Sequence, residues 1–218
     1  MDDIAPSNRS RSSKRNDEAN SGVTDVNFSE PFELFDQWFH DASQKESGDY
    51  TAMTLATANS EGVPSARMVL LKDASESGFV FYTNMESRKG QEMLENPVAA
   101  LCFHWPTLQR SVRIEGPIEM VDESEADAYF ASRPREARIG AWASSQSRVL
   151  QSRFELEKRV AKFTLKYNIR KVPRPPHWTG CRVVPKRIEF WSNKPFRLHD
   201  RTLYDQMENG WRKRKLYP

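Results

Sequence analysis

The chain has 218 residues, 38% hydrophobic and 29% charged, and 33 basic against 30 acidic side chains leave a net charge of +3. That length suits one substantial domain with a few added helices, and the near-balance excludes a polycation that holds nucleic acid by bulk charge alone. Two cysteines far apart, Cys102 and Cys181, exclude a disulfide framework or a cysteine-ligated zinc site and fit a reducing cytoplasm.

Residues 1–27 carry few apolar side chains and no period, so they cannot bury enough surface to offset their ordering entropy. A polar, disordered tail is expected there, followed by one domain over 28–218. The Met-Asp-Asp-Ile start has no signal-peptide pattern. No uncharged apolar run approaches the ~18 residues of a membrane span.

Phe32, Phe35, Trp38 and Phe39 recur at helical spacing behind Ser29 and Pro31. After Gly48-Asp49 the pattern changes to short strands, expected at 50–57, 65–72 and 79–83, separated by NSEG and DASESG turns. A short helix follows at 87–96, then strands at 98–105 and 110–121, the second interrupted by Gly116-Pro117. Helices are expected at 123–132, stopped before Pro134, and at 149–167, with Phe154, Leu156, Val160 and Phe163 as its inward side. VPRPPHW at 172–178 reads as a rigid linker, and strands return at 181–191, 196–201 and 211–216. Hairpin-length connections and the lack of strict βα alternation predict an α+β fold. Its core is an antiparallel barrel or sheet with peripheral helices.

Four segments could carry chemistry. Arg67 and Lys72 bracket apolar residues that suggest a buried strand with a cation near each end, and on a regular strand the two would point to opposite faces. They could serve two phosphate groups, or be two surface cations with buried stems. Tyr82-Thr83 leads into Ser87-Arg88-Lys89, where helix N-terminal amides and two cations could cradle a phosphate; a solvated charged turn is the alternative. Tyr129 and Arg133, four apart on a helix, could clamp an anion or simply pack together. Arg197, His199 and Arg201 would share one face of a strand just after Trp191. Only His199 of these titrates near neutral pH. No GxGxxG, P-loop, GxSxG or HExxH pattern is present, and His40, His104 and His177 lack ligand spacing. WRKRKLYP at the C-terminus reads as an edge strand with a charged face rather than a nucleic-acid patch.

The ordered set RMVLLK (67–72), FYTNMESRKG (81–90), YFASRPREARIGAWASSQS (129–147), VPRPPHW, IEFW (188–191) and RLHDR (197–201), with the LYP terminus, resembles the pyridoxamine 5′-phosphate oxidase family. The resemblance implies an FMN-binding split β-barrel that is a homodimer with FMN across the subunit interface. It assigns Arg67, Met68, Val69, Leu70, Leu71, Lys72, Tyr82, Thr83, Arg88, Lys89, Gln146, Ser147, Trp191 and Arg201 to FMN. Lys72, Tyr129 and Arg133 would hold the substrate phosphate. Arg197, Leu198 and His199 would lie against the substrate ring, with Arg197 and His199 as the catalytic pair. The implied reaction oxidises pyridoxamine or pyridoxine 5′-phosphate to pyridoxal 5′-phosphate, with O₂ as acceptor giving H₂O₂, and ammonia released from the amine. The implied setting is cytoplasmic, with no metal, membrane or nucleic acid.

Three positions depart from the family pattern: Ser111 stands where Gln is usual, Ala137 where Ser is frequent, and SSKRNDE has no match to an N-terminal lid. Two other readings are a phenazine-pathway flavin oxidoreductase on the same barrel and a non-catalytic FMN or pyridoxal-phosphate binding module. A basic RNA-binding barrel stands further off.

Overall fold

Period-two burial after residue 50 becomes, in the computed structural model, a curled antiparallel sheet whose inner face is filled by a single helix; residues 22–218 are described. In chain order the elements are β1 (Val23–Val26), α1 (Glu30–Lys45), β2 (Ala52–Ala58), β3 (Pro64–Leu70), β4 (Asp73–Ser75) and β5 (Gly78–Asn84). Then come α2 (Arg88–Glu95), β6 (Val98–Trp105), β7 (Arg110–Met120), α3 (Glu123–Ser132), α4 (Arg135–Ala143) and α5 (Arg153–Tyr167). The chain closes with β8 (Trp178–Val183), β9 (Arg187–Ser192), β10 (Asp200–Met207) and β11 (Gly210–Leu216). The main path runs β1-β11-β10-β9-β7-β6-β2-β3, and β8 joins β7 to β5, which pairs with β4.

The curl originates in β7. Its first part pairs with β6 and β9, whereas Ile118–Met120 pairs with β8. Gly116-Pro117 sits at this change of partners. A Cβ at Gly116 would collide with the Val184 carbonyl, and the Pro117 carbonyl accepts from Val184 N at 2.9 Å. Glycine and proline inside a strand thus mark a bend where another backbone comes close.

Helix α1 fills the curl because its apolar positions recur on one face. Phe35 is 1% exposed, with ring centroids 4.9 Å from Phe79 and 5.4 Å from Phe103. The start of α1 is held by Asn27, whose Oδ1 accepts from Glu30 N at 2.9 Å. Ser29 instead donates to Glu33 Oε1 at 2.6 Å.

Several sequence expectations change here. The strand expected at 181–191 is two strands, because Val184-Pro185 breaks the ladder: β8 pairs with β5 and the end of β7, β9 with β10 and the first part of β7. The strand expected at 196–201 is a 3₁₀ turn, Pro195–Arg197, with β10 starting only at Asp200. Arg197, His199 and Arg201 therefore do not share a strand face. The stretch 65–72 is not a buried strand: β3 is at the end of the sheet path and stops at Leu70, leaving Lys72 beyond it. Helix α4 was not foreseen, since Pro134 both ends α3 and precedes the next helix.

In α5 the expected inward face is largely open: Phe154 is 58% exposed, Leu156 43% and Val160 39%. Of the tail expected over 1–27, residues 1–21 lie outside the described residues, and Val23–Val26 pairs with β11. That pairing makes β11 an interior strand rather than an edge. Its cations Arg212, Lys213, Arg214 and Lys215 each meet a carboxylate, from Asp25, Glu30, Asp205 and Asp200. No helix among the described residues is long and apolar enough to cross a membrane.

Gly116→Ala should destabilise the protein by about 1–3 kcal/mol, the usual cost of overpacking, read as a lower urea midpoint. An unchanged midpoint would show that β7 can change sheets without a glycine.

Candidate active site

Strand β5 carries Tyr82 and Thr83 into a cavity of about 480 Å³ between the sheet and the α3–α4 pair. Tyr129 from α3 stacks on Tyr82 at 3.9 Å and 15°, and Trp178 continues the stack at 5.2 Å and 12° from Tyr82. Arg133, one helical turn after Tyr129, lays its guanidinium 4.8 Å from the Trp178 ring centre. This is a cation–π seat, which orients a guanidinium without neutralising it. Arg133 Nη1 and Thr83 Oγ1 are both buried without a hydrogen-bond partner, and both residues line the cavity, as do Lys72 and Ala137. Burial lowers the Arg133 pKa and raises that of Tyr129. Burial and the nearby Glu125 push Tyr82 up to about 12, so its phenol stays a neutral donor. A buried cation and hydroxyl with unused hydrogen-bonding capacity suit an oxyanion.

Helix α2 starts a second, adjoining site. Ser87 caps it, accepting from Gly90 N at 3.3 Å and donating to the Asn84 carbonyl at 2.6 Å. A Cβ at Gly90 would collide with the Met85 backbone, so the first turn is pressed onto the end of β5. Lys89 is 8% exposed, with Nζ 3.0 Å from Gln146 Oε1 and 3.3 Å from Ser87 Oγ. Burial, with Arg67 nearby, lowers its pKa. The cavity here, about 400 Å³, is lined by Arg67, Arg88, Lys89, Gln146 and Ser147. Met68, Lys89 and Gln146 line both spaces.

Behind these cations lies Glu92, 5% exposed. Its Oε2 accepts from Thr57 and Ser65 at 2.5 Å each and lies 3.2 Å from Arg67 Nη2, while Oε1 accepts from Arg88 Nε at 2.8 Å. Burial would raise its pKa; the hydrogen bonds from Ser65, Thr57 and Arg88, with the charge of Arg67, outweigh that and hold it at about 2.

The remaining expected residues are elsewhere on the chain. Trp191, Arg201 and Ser111 line a third cavity of about 440 Å³. Glu189, 5% exposed, accepts there from Arg201 Nε at 2.7 Å and from Arg113 Nη2 at 2.5 Å. Ser111 donates to the Phe103 carbonyl at 2.7 Å, so its hydroxyl is satisfied within the sheet. Phe196 and Arg197 have φ of 58° and 61°, a left-handed turn that leaves Arg197 and Leu198 exposed. His199 rests 4.8 Å from the Trp191 ring, with Nδ1 3.4 Å from Lys194 N. Arg197, Leu198 and His199 line none of the three cavities.

One chain thus brings Arg67, Met68, Val69, Leu70, Lys72, Tyr82, Thr83, Arg88, Lys89, Tyr129, Arg133, Gln146 and Ser147 to two adjoining cavities. Leu71 instead packs its side chain into the core, at 5% exposure. Trp178, Glu92 and Glu189 were not singled out from the sequence. Trp178 was grouped with the proline-rich linker, yet it begins β8. A buried carboxylate among arginines has no local signature at all.

Two family models match: pyridoxamine 5′-phosphate oxidase over residues 39–167, and the pyridoxine 5′-phosphate oxidase C-terminal dimerisation region over 178–218. A pyridoxine/pyridoxamine 5′-phosphate oxidase of Rhodospirillum rubrum is 59% identical over 194 residues, covering 87% of this chain and 96% of that protein. The same-named protein of Brucella canis is 58% identical over 191 residues, covering 87% and 94%. Among solved structures, PhzG from Burkholderia lata, in complex with tetrahydrophenazine-1-carboxylic acid, superposes with TM-score 0.80 at 30% identity, covering 86% and 92%. A pyridoxamine 5′-phosphate oxidase-related, FMN-binding protein of Nostoc punctiforme gives 0.69 at 15%, covering 85% and 96%, a likeness of fold.

The depressed Glu92 pKa has a thermodynamic consequence. A carboxyl whose folded pKa lies below its ordinary 4.5 adds stability that is complete above that value and is lost as pH falls towards about 2. Wild type should therefore lose more stability than Glu92→Gln between pH 6 and pH 3 in urea titrations. Equal losses would mean that Glu92 is not held ionised by these contacts.

Proposed function

The chain belongs to the pyridoxamine 5′-phosphate oxidase family, and from that premise we propose that it oxidises pyridoxamine and pyridoxine 5′-phosphates to pyridoxal 5′-phosphate. FMN is the cofactor, and O₂ is the acceptor, yielding H₂O₂ and, from the amine, ammonia. The supporting observation is the pair of adjoining cationic cavities, one with Arg67, Arg88 and Lys89, the other with Lys72 and Arg133. Two phosphorylated molecules that must meet face to face need two such anchors. The residues fit FMN: three cations for its phosphate, the β3 edge for its ring system, and the orphaned Thr83 hydroxyl beside it.

When bound, FMN supplies the acceptor for a hydride from C4′ of the substrate and passes the electrons to O₂. The chain's residues do the positioning. Lys72, Tyr129 and Arg133 hold the substrate phosphate, and the phenol of Tyr129 stays protonated to donate. The Tyr82–Tyr129–Trp178 stack keeps Arg133 from swinging away. Fixing the distal phosphate converts a bimolecular encounter into an oriented one.

The active unit is a homodimer with FMN at the interface. Trp191, Arg201 and the Arg197-Leu198-His199 turn line no part of the first two cavities on their own chain. A second copy supplies them, through the C-terminal region that matches the family's dimerisation region. Arg197 would then place its charge over the substrate ring, and His199, steadied by Trp191, would orient it by hydrogen bonding. The exposed left-handed turn that carries Arg197 suits a side chain meant for another subunit. Ala137 lines the substrate cavity where a hydroxyl is frequent in the family, and the neighbouring Arg138, whose Nε is buried without a partner, is a substitute donor. Both cysteines are free, in keeping with a cytoplasmic enzyme.

A phenazine-type oxidoreductase is the second reading, favoured by the superposition on PhzG. The 59% identity to the vitamer oxidase against 30% to PhzG weighs for the vitamer.

Purified protein loaded with FMN should convert pyridoxine 5′-phosphate in air to the aldehyde with matching peroxide. Arg197→Ala should keep its flavin and lose roughly 10²–10³ in kcat, the scale of removing one preorganised charge stabiliser. No turnover by the flavin-loaded wild type would end the proposal. Flavin loss from Arg197→Ala with unchanged substrate constants would remove its assigned role.

A further inference from the structure

The cations of the second cavity are gathered in one place, and like charges so close repel one another. Arg67, Arg88 and Lys89 come from β3 and from the first turn of α2, where the helix dipole also disfavours cations. What organises the two arginines is one carboxylate that does not itself line the cavity. We infer that Glu92 is the positioning residue of the FMN phosphate site, setting both the geometry of Arg67 and Arg88 and the charge that the phosphate meets. This inference rests on the placement of the FMN phosphate at these cations.

The contacts support a positioning role. Glu92 Oε1 takes Arg88 Nε, leaving the Nη end of a side chain that is 62% exposed and lines the cavity. Glu92 Oε2 takes Arg67 Nη2, and Thr57 holds Arg67 Nη1 at 2.5 Å while also donating to the same carboxylate oxygen. Ser65 closes the ring, donating to Glu92 and accepting from Arg67. Arg67 is thus held at both Nη atoms, and Arg88 through its Nε, before any anion arrives. An unpaired arginine would have to give up its rotamer freedom on binding, which weakens affinity.

The charge follows the same logic. Three cations and one carboxylate leave an excess of two positive charges, the complement of a phosphate monoester dianion. Glu92 itself is nearly buried and does not line the cavity, so its effect reaches the phosphate through the arginines.

Glutamine at 92 keeps the shape but presents an N–H₂ group to at least one arginine N–H donor, which cannot accept from it. That substitution should undo the lock while sparing the part of the site that holds the flavin ring. Riboflavin, which lacks the phosphate, separates the two. Full-length protein stripped of flavin is titrated with FMN and with riboflavin, following the quenching of flavin fluorescence.

Wild type should bind FMN far more tightly than riboflavin. Glu92→Gln should weaken FMN roughly tenfold or more, the scale of a lost charge-assisted bond, and leave riboflavin within about twofold. Thr57→Val, which removes the hydroxyl that joins Glu92 to Arg67 Nη1 and is not itself part of the cavity lining, should shift FMN in the same direction by a smaller factor. It carries the test if the glutamine variant does not fold. FMN affinity unchanged in the variants, or riboflavin affinity falling in parallel, would overturn the role of Glu92. A wild type that does not distinguish FMN from riboflavin would instead overturn the placement of the phosphate site on which the inference stands.

Discussion

Cations gathered in a partly buried cleft repel one another and lose hydration, and this constraint shapes the site more than any single ligand contact. Desolvation disfavours each charge, and several of the arginines here have a specific arrangement that offsets it. Glu92 sits behind Arg67 and Arg88, Glu189 joins Arg113 to Arg201, and Arg133 lies on the ring of Trp178. These supports are on strands and helices rather than on loops, so the cations are ordered before a phosphate binds. Of these arginines, Arg133 keeps a buried nitrogen without a partner, and it lines the cavity proposed for the substrate. On the proposed assignment the contrast divides the labour: the cofactor anchor would be braced by a carboxylate, and the substrate anchor by an aromatic face that leaves its charge unspent.

The fold delivers these supports through two devices. Gly116-Pro117 lets β7 change partners, which curls the sheet and brings β8, with Trp178, beside β5 and its Tyr82. Helix α1 then fills the concave side with Phe32 and Phe35, so that the opposite ends of β3 and β5 are free to line the cavities. The cost of that economy is an incomplete site. Trp191, Arg201 and the turn at 195–197 are held by β9 and β10 on another part of the same chain, and in the proposed dimer they would meet the phosphate cavities across a two-fold interface.

Local features were legible in the sequence to the extent that they depend on neighbours along the chain. Helices α2 and α3 and strands β6 and β7 fall within a residue of expectation because Ser87, Asn96-Pro97 and Pro134 punctuate them directly. The cation clusters at 67–72 and 88–89 were legible for the same reason. The stretch 196–201 was not, because its alternating Arg-Leu-His-Asp-Arg mimics a strand while Phe196 and Arg197 take left-handed backbone. Nor was the open face of α5, since periodicity shows that a helix has an apolar side without showing what lies against it. Glu92 and Glu189 escaped altogether. Each acquires its meaning from arginines 4 to 76 positions away, and isolated glutamates in a sequence carry no such mark.

The division of the site between two chains can be tested by mixing subunits. Arg133→Ala and Arg197→Ala homodimers should each be nearly inactive. If they are unfolded together and refolded at equal amounts, about half of the dimers are mixed. Each mixed dimer would then hold one site with both arginines intact and one with neither, so about a quarter of wild-type activity should return. A mixture that stays as inactive as its parents would place Arg133 and Arg197 in the same chain's site and refute the shared architecture.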